Sequence, residues 1–365
     1  MARCLIGCGS NLGRRREQLD RAVELLRFMP GVSVLAVSRY RETRPVGGPA
    51  GQPPFLNGAC LIETGLPPHD VLGMLAAVEN TLHRERTEHW APRTLDLDLL
   101  LYDEVVLDTP HLTLPHPRMI TRRFVLEPAA EIAADLLHPV AGCSVQALLD
   151  NLSRPHPLVA IVGAPGSGAP DVAAAVADAV MARAVHAPLP LPAIAPAGSA
   201  AWRDTLAAWE QTLDGLDWLD DPHGTIADFA LDALRIAADE LPAAEAAGFD
   251  AELDSALERT VPPQVAILLR ADAARLGERA LDHDRRTAAF LAGGSATTVA
   301  TRAAGPLVDA SPDAVVARLL AVQDRLARAL HRPDLPRRPR AVMTIDATDL
   351  TRATAEATAA VEAML

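Results

Sequence analysis

What most constrains this chain is an internal break. Pro155 and Pro157, within the stretch Asn151–Pro157, interrupt any helix, and an apolar run, Leu158–Val162, restarts directly behind them. A chain of 365 residues is long enough for two domains with separate cores. The break therefore predicts a domain over 1–154 and another over 158–365.

Before the break, strand and helix periods alternate. Arg3–Cys8 reads as a strand, and Arg14–Met29 as a helix with Leu19, Ala22, Val23 and Leu26 on one face. Val32–Arg41 and Phe55–Glu63 read as strands joined by a Gly/Pro-rich loop, His69–His83 as a helix, and Thr94–Tyr102 as a fourth strand. The order β-α-β-β-α-β predicts a ferredoxin-like α+β sandwich. Behind the break, Val159–Val162, Gln264–Leu269 and Ala341–Ile345 read as strands. Helices are predicted over Asp171–Val185, Ala200–Leu213, Thr225–Glu240, Phe249–Thr260 and Asp313–Leu330. That alternation predicts an α/β domain on a parallel sheet.

Charge narrows the partners. All 34 basic residues are arginine; 16 of them meet 18 acids through residue 155, and 18 meet 29 acids beyond it. An acidic second half lacks the clustered positive charge that nucleic acid requires. With no apolar run of membrane-spanning length and no signal-peptide pattern at Met1–Ser10, a cytoplasmic protein with no membrane partner is expected. Cys4, Cys8, Cys60 and Cys143 form no metal-ligand spacing and read as small buried hydrophobes.

The densest candidate chemistry lies in His89–Tyr102. On a strand Asp96 and Asp98 share one face, while Leu95, Leu97 and Leu99 point into the core. Two adjacent carboxylates suit a hard cation such as Mg²⁺, which keeps water and phosphate oxygens in its remaining positions. A half-buried strand with a solvated face would alternate in the same way. Arg84, Arg86, Arg93, Arg122 and Arg123, with His116, surround the pair in sequence, as phosphoryl transfer by positioning and charge neutralisation would require.

These residues resemble the 6-hydroxymethyl-7,8-dihydropterin pyrophosphokinase family over roughly Ala2–Leu152. The resemblance rests on Gly9-Ser-Asn-Leu12, Phe55-Leu-Asn57, Glu79, Trp90-x-Pro-Arg-Thr-Leu-Asp-Leu-Asp98, Leu114-Pro-His116 and Arg122-x-Phe124. It implies ATP with two Mg²⁺ ions, hydroxymethyldihydropterin as the acceptor, and AMP as a product. It further implies metal binding at Asp96 and Asp98, and catalytic arginines at Arg84 and Arg93. Asn57, Phe55, Phe124, Thr43 and Val46 would hold the pterin. Glu79, Arg86, Trp90, Thr113, His116 and Arg122 would meet the nucleotide. His89, His111 and Pro117 depart from the family pattern, and the loop between Arg86 and Trp90 is one residue short. These departures bear on nucleotide affinity.

In the second half, Gly163-Ala-Pro-Gly-Ser-Gly168 has P-loop glycine spacing, but Ala169 and Pro170 stand where the motif needs Lys and Ser or Thr. A Gly/Pro linker would look much the same. Thr225-Ile-Ala-Asp-Phe229, Val261–Leu269 and a lid-like Arg275–Arg286 resemble the deoxynucleoside kinase family, whose Glu-Pro falls at Ala195-Pro196 here. The resemblance implies a P-loop-kinase-like domain that has lost catalysis. The alternatives are a second, active kinase or an interaction module that forms a homodimer.

Overall fold

β1 (Ala2–Ser10) alternates between two faces of a sheet. Cys4, Ile6 and Cys8 enter an apolar cluster shared with two helices, so Leu5, Gly7 and Gly9 face the other side. The helices are α1 (Arg15–Phe28), burying Leu19, Ala22, Val23 and Leu26, and α2 (Pro68–Thr81), burying Val71, Leu75 and Val78. Both stripes follow the helical period. The strands β2 (Val32–Val37), β3 (Arg41–Thr43), β4 (Phe55–Thr64) and β5 (Asp96–Tyr102) complete the sheet in the order β2-β4-β1-β5, with β3 paired to β4. All these pairings are antiparallel, which makes two interleaved β-α-β units.

Two short hairpins, β6 (Leu107–Asp108) with β7 (Thr113–Leu114) and β8 (Leu137–His138) with β9 (Cys143–Ser144), follow. A single 3₁₀ turn, Met119–Thr121, leads into α3 (Arg123–Ala133), which packs on β4, β1 and β3. The buried residues of α3 stand apart from the α1/α2 cluster, so α3 covers the sheet's other face. α4 (Val145–Leu152) packs on α3 and is capped by Ser144, whose Oγ accepts the Ala147 amide at 3.2 Å.

The computed structural model describes residues 1–49, 51–82, 94–154, 157–192, 198–216, 223–280, 282, 311–331 and 341–364. The chain forms two compact units, Met1–Arg154 with Ala359–Leu365, and Pro155–Thr358. This corrects the expected second domain over 158–365, because the final residues pack with the first unit. Val361, Ala363 and Met364 are buried there, and the Arg123 amide donates to the Ala363 carbonyl at 2.9 Å.

The second unit is built on a parallel sheet in the order β11-β12-β10-β13-β14. Its strands are β10 (Leu158–Gly163), β11 (Arg183–Val185), β12 (Thr225–Ala227), β13 (Val265–Arg270) and β14 (Ala341–Asp346). Its helices are α5 (Ala169–Val180), α6 (Ser199–Asp214), α7 (Ala243–Arg259), α8 (273–280), α9 (Pro312–Leu330) and α10 (Leu350–Glu362), whose last turn belongs to the first unit.

Two sequence expectations fail here. Met181, at φ 57°, closes α5, so Arg183–Val185 is a strand and not the end of a helix. Thr225–Ala227 is likewise a buried strand, and Asp228 then accepts the Ala187 amide at 2.6 Å, which diverts the chain before Leu231–Asp239 coils as a 3₁₀ helix. Among the described residues no helix is long and apolar enough to cross a membrane.

Candidate active site

Register in the first sheet aligns the candidate residues. Asp96 of β5 and Asn57 of β4 both pair with Gly9 of β1, from opposite sides, and Asp98 pairs with Gly7. Directly opposed residues in an antiparallel sheet project to the same face. The middle strand contributes only hydrogen atoms there, leaving a shallow floor between an amide and two carboxylates. A Cβ built on Gly9 would lie 2.9 Å from Asn57 Oδ1, 3.9 Å from Asp96 Cβ and 3.9 Å from a Phe55 ring carbon. Asn57, Phe55 and Asp96 therefore converge on one point. Leu95, Leu97 and Leu99 are buried on the opposite side, as the alternation predicts.

The amide is held in orientation. Asn57 Nδ2 donates to Thr43 Oγ1 at 2.7 Å, leaving Oδ1 aimed over Gly9. The loop behind Thr43, which carries half-buried Val46, is pinned at its far end. There Asn11 Nδ2 donates to Gln52 Oε1 and to the Pro53 carbonyl, both at 3.3 Å, and Arg15 Nη1 donates to the Pro54 carbonyl at 2.7 Å. Tyr40 packs where a side chain at Gly58 would stand, so that glycine is a steric requirement.

The nucleotide-side candidates come from the segment after β5. The His116 amide donates to the Leu100 carbonyl at 2.8 Å, which fixes the segment to the aspartate strand. Burial, then the charges of Arg122 and Arg118, push the His116 pKa down to about 3, with Asp96 opposing. His116 is therefore neutral near pH 7. Its Nδ1 faces the Arg118 amide at 3.2 Å and must accept, so Nε2 carries the proton and is a donor. Arg122 ends the 3₁₀ turn, and its guanidinium carbon lies 5.6 Å from the Phe124 ring centroid. Asp96, His116, Arg122 and Phe124 thus share one neighbourhood.

Two candidates are placed otherwise. Glu79 is buried, and its Oε1 accepts the Leu97 amide at 2.7 Å. β5 is the edge of this sheet, and a buried carboxylate satisfying an edge amide explains an acid in the apolar stripe of α2. Thr113 Oγ1 donates to Asp108 Oδ1 at 3.2 Å across the β6–β7 hairpin. Arg84, Arg86, Trp90 and Arg93, with the departure His89, lie outside the described residues. The sequence reading missed Gly7 and Gly9 as the floor of the site. Two glycines at strand spacing were the available signal, since a glycine inside a strand marks a close approach.

Among the described residues no three His, Cys, Asp or Glu side chains converge as a metal cage. Asp96 and Asp98 supply two hard oxygen donors beside the glycine floor. That set suits Mg²⁺ sharing its shell with water and phosphate, and does not suit a closed all-protein site.

In the second unit the glycine loop is closely packed. Gly166 and Gly168 sit at φ 85° and 86°, and a Cβ on Gly166 would lie 2.7 Å from the Leu276 carbonyl and 3.1 Å from the Ala280 amide nitrogen of α8. A Cβ on Gly168 would meet a Leu350 methyl at 2.5 Å. Arg279 donates to the Ala347 and Thr348 carbonyls at 2.7 Å each. Ala195, Pro196, Arg285 and Arg286 lie outside the described residues.

The profile of 7,8-dihydro-6-hydroxymethylpterin-pyrophosphokinase matches residues 5–134. The 2-amino-4-hydroxy-6-hydroxymethyldihydropteridine pyrophosphokinase of Pseudomonas aeruginosa is 44% identical over 137 residues, 38% of this chain and 84% of that protein. The Bacillus subtilis protein of the same name is 46% identical over 127 residues, 35% and 75% respectively. A deoxyadenosine kinase from M. mycoides with bound dCTP aligns with 55% of this chain and 95% of its own, at 13% identity and a TM-score of 0.32, which carries no weight. The chain belongs to the 7,8-dihydro-6-hydroxymethylpterin-pyrophosphokinase family through its first unit.

Proposed function

We propose that the first unit, a ferredoxin-like sandwich, transfers the pyrophosphoryl group of ATP to the hydroxymethyl oxygen of 6-hydroxymethyl-7,8-dihydropterin, leaving AMP. The observation that carries this reading is the convergence of Asn57, Phe55 and Asp96 over Gly9. A flat heteroaromatic acceptor needs ring faces to stack on and an amide to read its edge. Phe55, with Phe124 from α3, supplies the faces, and Asn57, oriented by Thr43, supplies the amide.

Asp96 and Asp98 would hold two Mg²⁺ ions, which when bound neutralise phosphate charge and orient the transferring group. His116, neutral with its Nε2 proton available, donates to the nucleotide without adding charge. Arg122 adds positive charge beside it. Arg84 and Arg93 carry the catalytic charge in this reading, and Glu79 acts by holding the Asp96–Asp98 strand in place. ATP and the pterin are then the partners of a cytoplasmic enzyme.

For the second unit we propose a P-loop-kinase-like domain without kinase activity: Ala169 and Pro170 offer neither the lysine nor the hydroxyl of the motif. A homodimer through this unit is the accompanying proposal, read by size-exclusion chromatography of the whole chain. The main test is product analysis of the whole chain with ATP, Mg²⁺ and hydroxymethyldihydropterin. The expected products are AMP and the pterin diphosphate; ADP with a monophosphorylated pterin overturns the assignment.

A further inference from the structure

Arg123, between the proposed nucleotide residue Arg122 and the proposed pterin residue Phe124, faces away from both roles and gathers helix ends. It is the first residue of α3, and α3 has no side-chain cap. A helix start leaves its first amides without partners, and a helix end leaves its last carbonyls without them. Here the two deficits meet. The Arg123 amide donates to the Ala363 carbonyl at 2.9 Å, and its Nε donates to the Met364 carbonyl at 3.3 Å. Nη2 donates to the Leu152 carbonyl, the last of α4, at 2.9 Å.

The residues supplying those carbonyls are fixed in turn. Ala363 and Met364 donate back to Ala359 and Val361 at 3.1 and 3.0 Å, and both are about as buried as core residues, at 5% and 3% exposure. A cationic side chain at a helix C-terminus also interacts favourably with the dipole of that helix.

We propose that Arg123 is a positioning residue for the pyrophosphoryl transfer, and that Ala359–Met364 are part of the same device. The chain leaves the first unit at Arg154 and returns to it at Ala359. Its returning turn replaces the missing cap of α3. The start of α3 is thereby held in register with the Asp96 strand, and with it Arg122 and Phe124. The inference rests on the roles assigned to those two residues under Proposed function. It makes the first unit's substrate site dependent on the far end of the chain.

The test is a kinetic cycle on the whole chain: Arg123→Ala, a chain ending at Thr358, and the two combined. Arg123→Ala is expected to raise KM for ATP and for the pterin about tenfold, equivalent to about 1.4 kcal/mol, the size of one charge-assisted hydrogen bond. Turnover at saturation is expected to change less than about twofold, because interactions lost equally from ground and transition states leave kcat alone. The shortened chain should also raise both constants, and the combination should fall short of the product of the two, since both changes remove the contact between Arg123 Nε and the Met364 carbonyl. Arg123→Lys should recover part of the loss. Unchanged KM in Arg123→Ala, or effects that multiply in the combination, overturn the proposal. Should the shortened chain fail to fold, the comparison of Arg123→Ala with Arg123→Lys decides alone. Asn57→Ala is run alongside. If it leaves the pterin KM unchanged, the site reading fails; if it raises KM while Arg123→Ala does not, only the positioning proposal fails.

Discussion

Replacing Gly9 by alanine adds a single methyl group at the point where three proposed site residues meet. That methyl would stand 2.9 Å from Asn57 Oδ1, well inside contact distance, while Asp96 and Phe55 at 3.9 Å would feel only ordinary contact. Asn57 must therefore move. It is tethered through Nδ2 to Thr43 Oγ1 at 2.7 Å, so movement lengthens that bond or swings the amide off the floor. One neutral hydrogen bond is worth about 0.5–1.5 kcal/mol net, and a ligand group left unpaired in a buried site costs about 1–3 kcal/mol. The two together, about 1.5–4.5 kcal/mol, predict a rise in KM for the pterin of about ten- to a thousandfold. KM for ATP should move less than about threefold, because the methyl contacts nothing assigned to the nucleotide. The fold should be spared, since the displaced atom ends a flexible side chain and alanine costs less strand entropy than glycine, by about 0.5–1 kcal/mol. AMP release at varied pterin and varied ATP reads both constants, and a thermal melt checks the fold. An unchanged pterin KM, or equal rises in both constants, would refute the assignment of Asn57 to the pterin.

Asp98→Ala should lower AMP release by about three orders of magnitude or more at saturating Mg²⁺, with stability changed by less than about 1 kcal/mol; near-normal turnover would return Asp96 and Asp98 to a solvated strand face. His116 gives a pH prediction, because its folded pKa of about 3 lies below the ordinary 6.5, so the unfolded chain takes up the proton first. Its stabilisation is complete above pH 6.5 and is lost as pH falls toward 3, at up to about 1.4 kcal/mol per pH unit. Urea denaturation at pH 7, 5 and 4 should therefore show a shallower acid loss in His116→Gln than in the parent, and equal slopes would contradict a buried neutral imidazole. Finally, the whole chain with ATP, Mg²⁺ and each of the four deoxynucleosides should form no monophosphate; turnover above about 0.1 s⁻¹ with any of them would overturn the inactive reading of the second unit.

Much of the first unit was legible because its elements are amphipathic. Leu19, Ala22, Val23 and Leu26 fall on one helical stripe, and Leu95, Leu97 and Leu99 alternate with Asp96 and Asp98, so period alone places them. The region from Asp103 to Leu152 was not legible in that way. β6 to β9 are two residues each, too short to show a period, and α3 opens at Arg123 without any capping side chain. Its start is completed by the Ala363 carbonyl, a partner 240 residues away that no local pattern can announce. The same limit explains β11 and β12. Each is a three-residue strand of a parallel sheet, too short to show a period, and Arg183–Val185, at the sheet's edge, continues the alanine-rich pattern of the preceding helix almost without a seam. The site was legible as a set of residue types. Its geometry depended on glycines, which carry no side chain to signal what crosses them.

The two glycine clusters show why that distinction matters for function. In β1, Gly7 pairs with Asp98 and Gly9 with Asp96 and Asn57, and what a side chain at Gly9 would strike is the Asn57 amide oxygen, with Asp96 and Phe55 in ordinary contact beside it. In the second unit, what side chains at Gly166 and Gly168 would strike is the chain itself: the Leu276 carbonyl, the Ala280 amide and the Leu350 methyls. A loop that cradles phosphate needs its amides to face an anion. At Gly166 the neighbouring space is taken by the backbone of α8, and Arg279 of that helix donates to the Ala347 and Thr348 carbonyls. Both clusters obey the same rule, that glycine marks a close approach, but the approaching group differs. Over Gly9 the approaching group is a side-chain amide oxygen, which suits the proposed pterin site; over Gly166 and Gly168 it is backbone and methyl, and the glycines serve the packing of a domain.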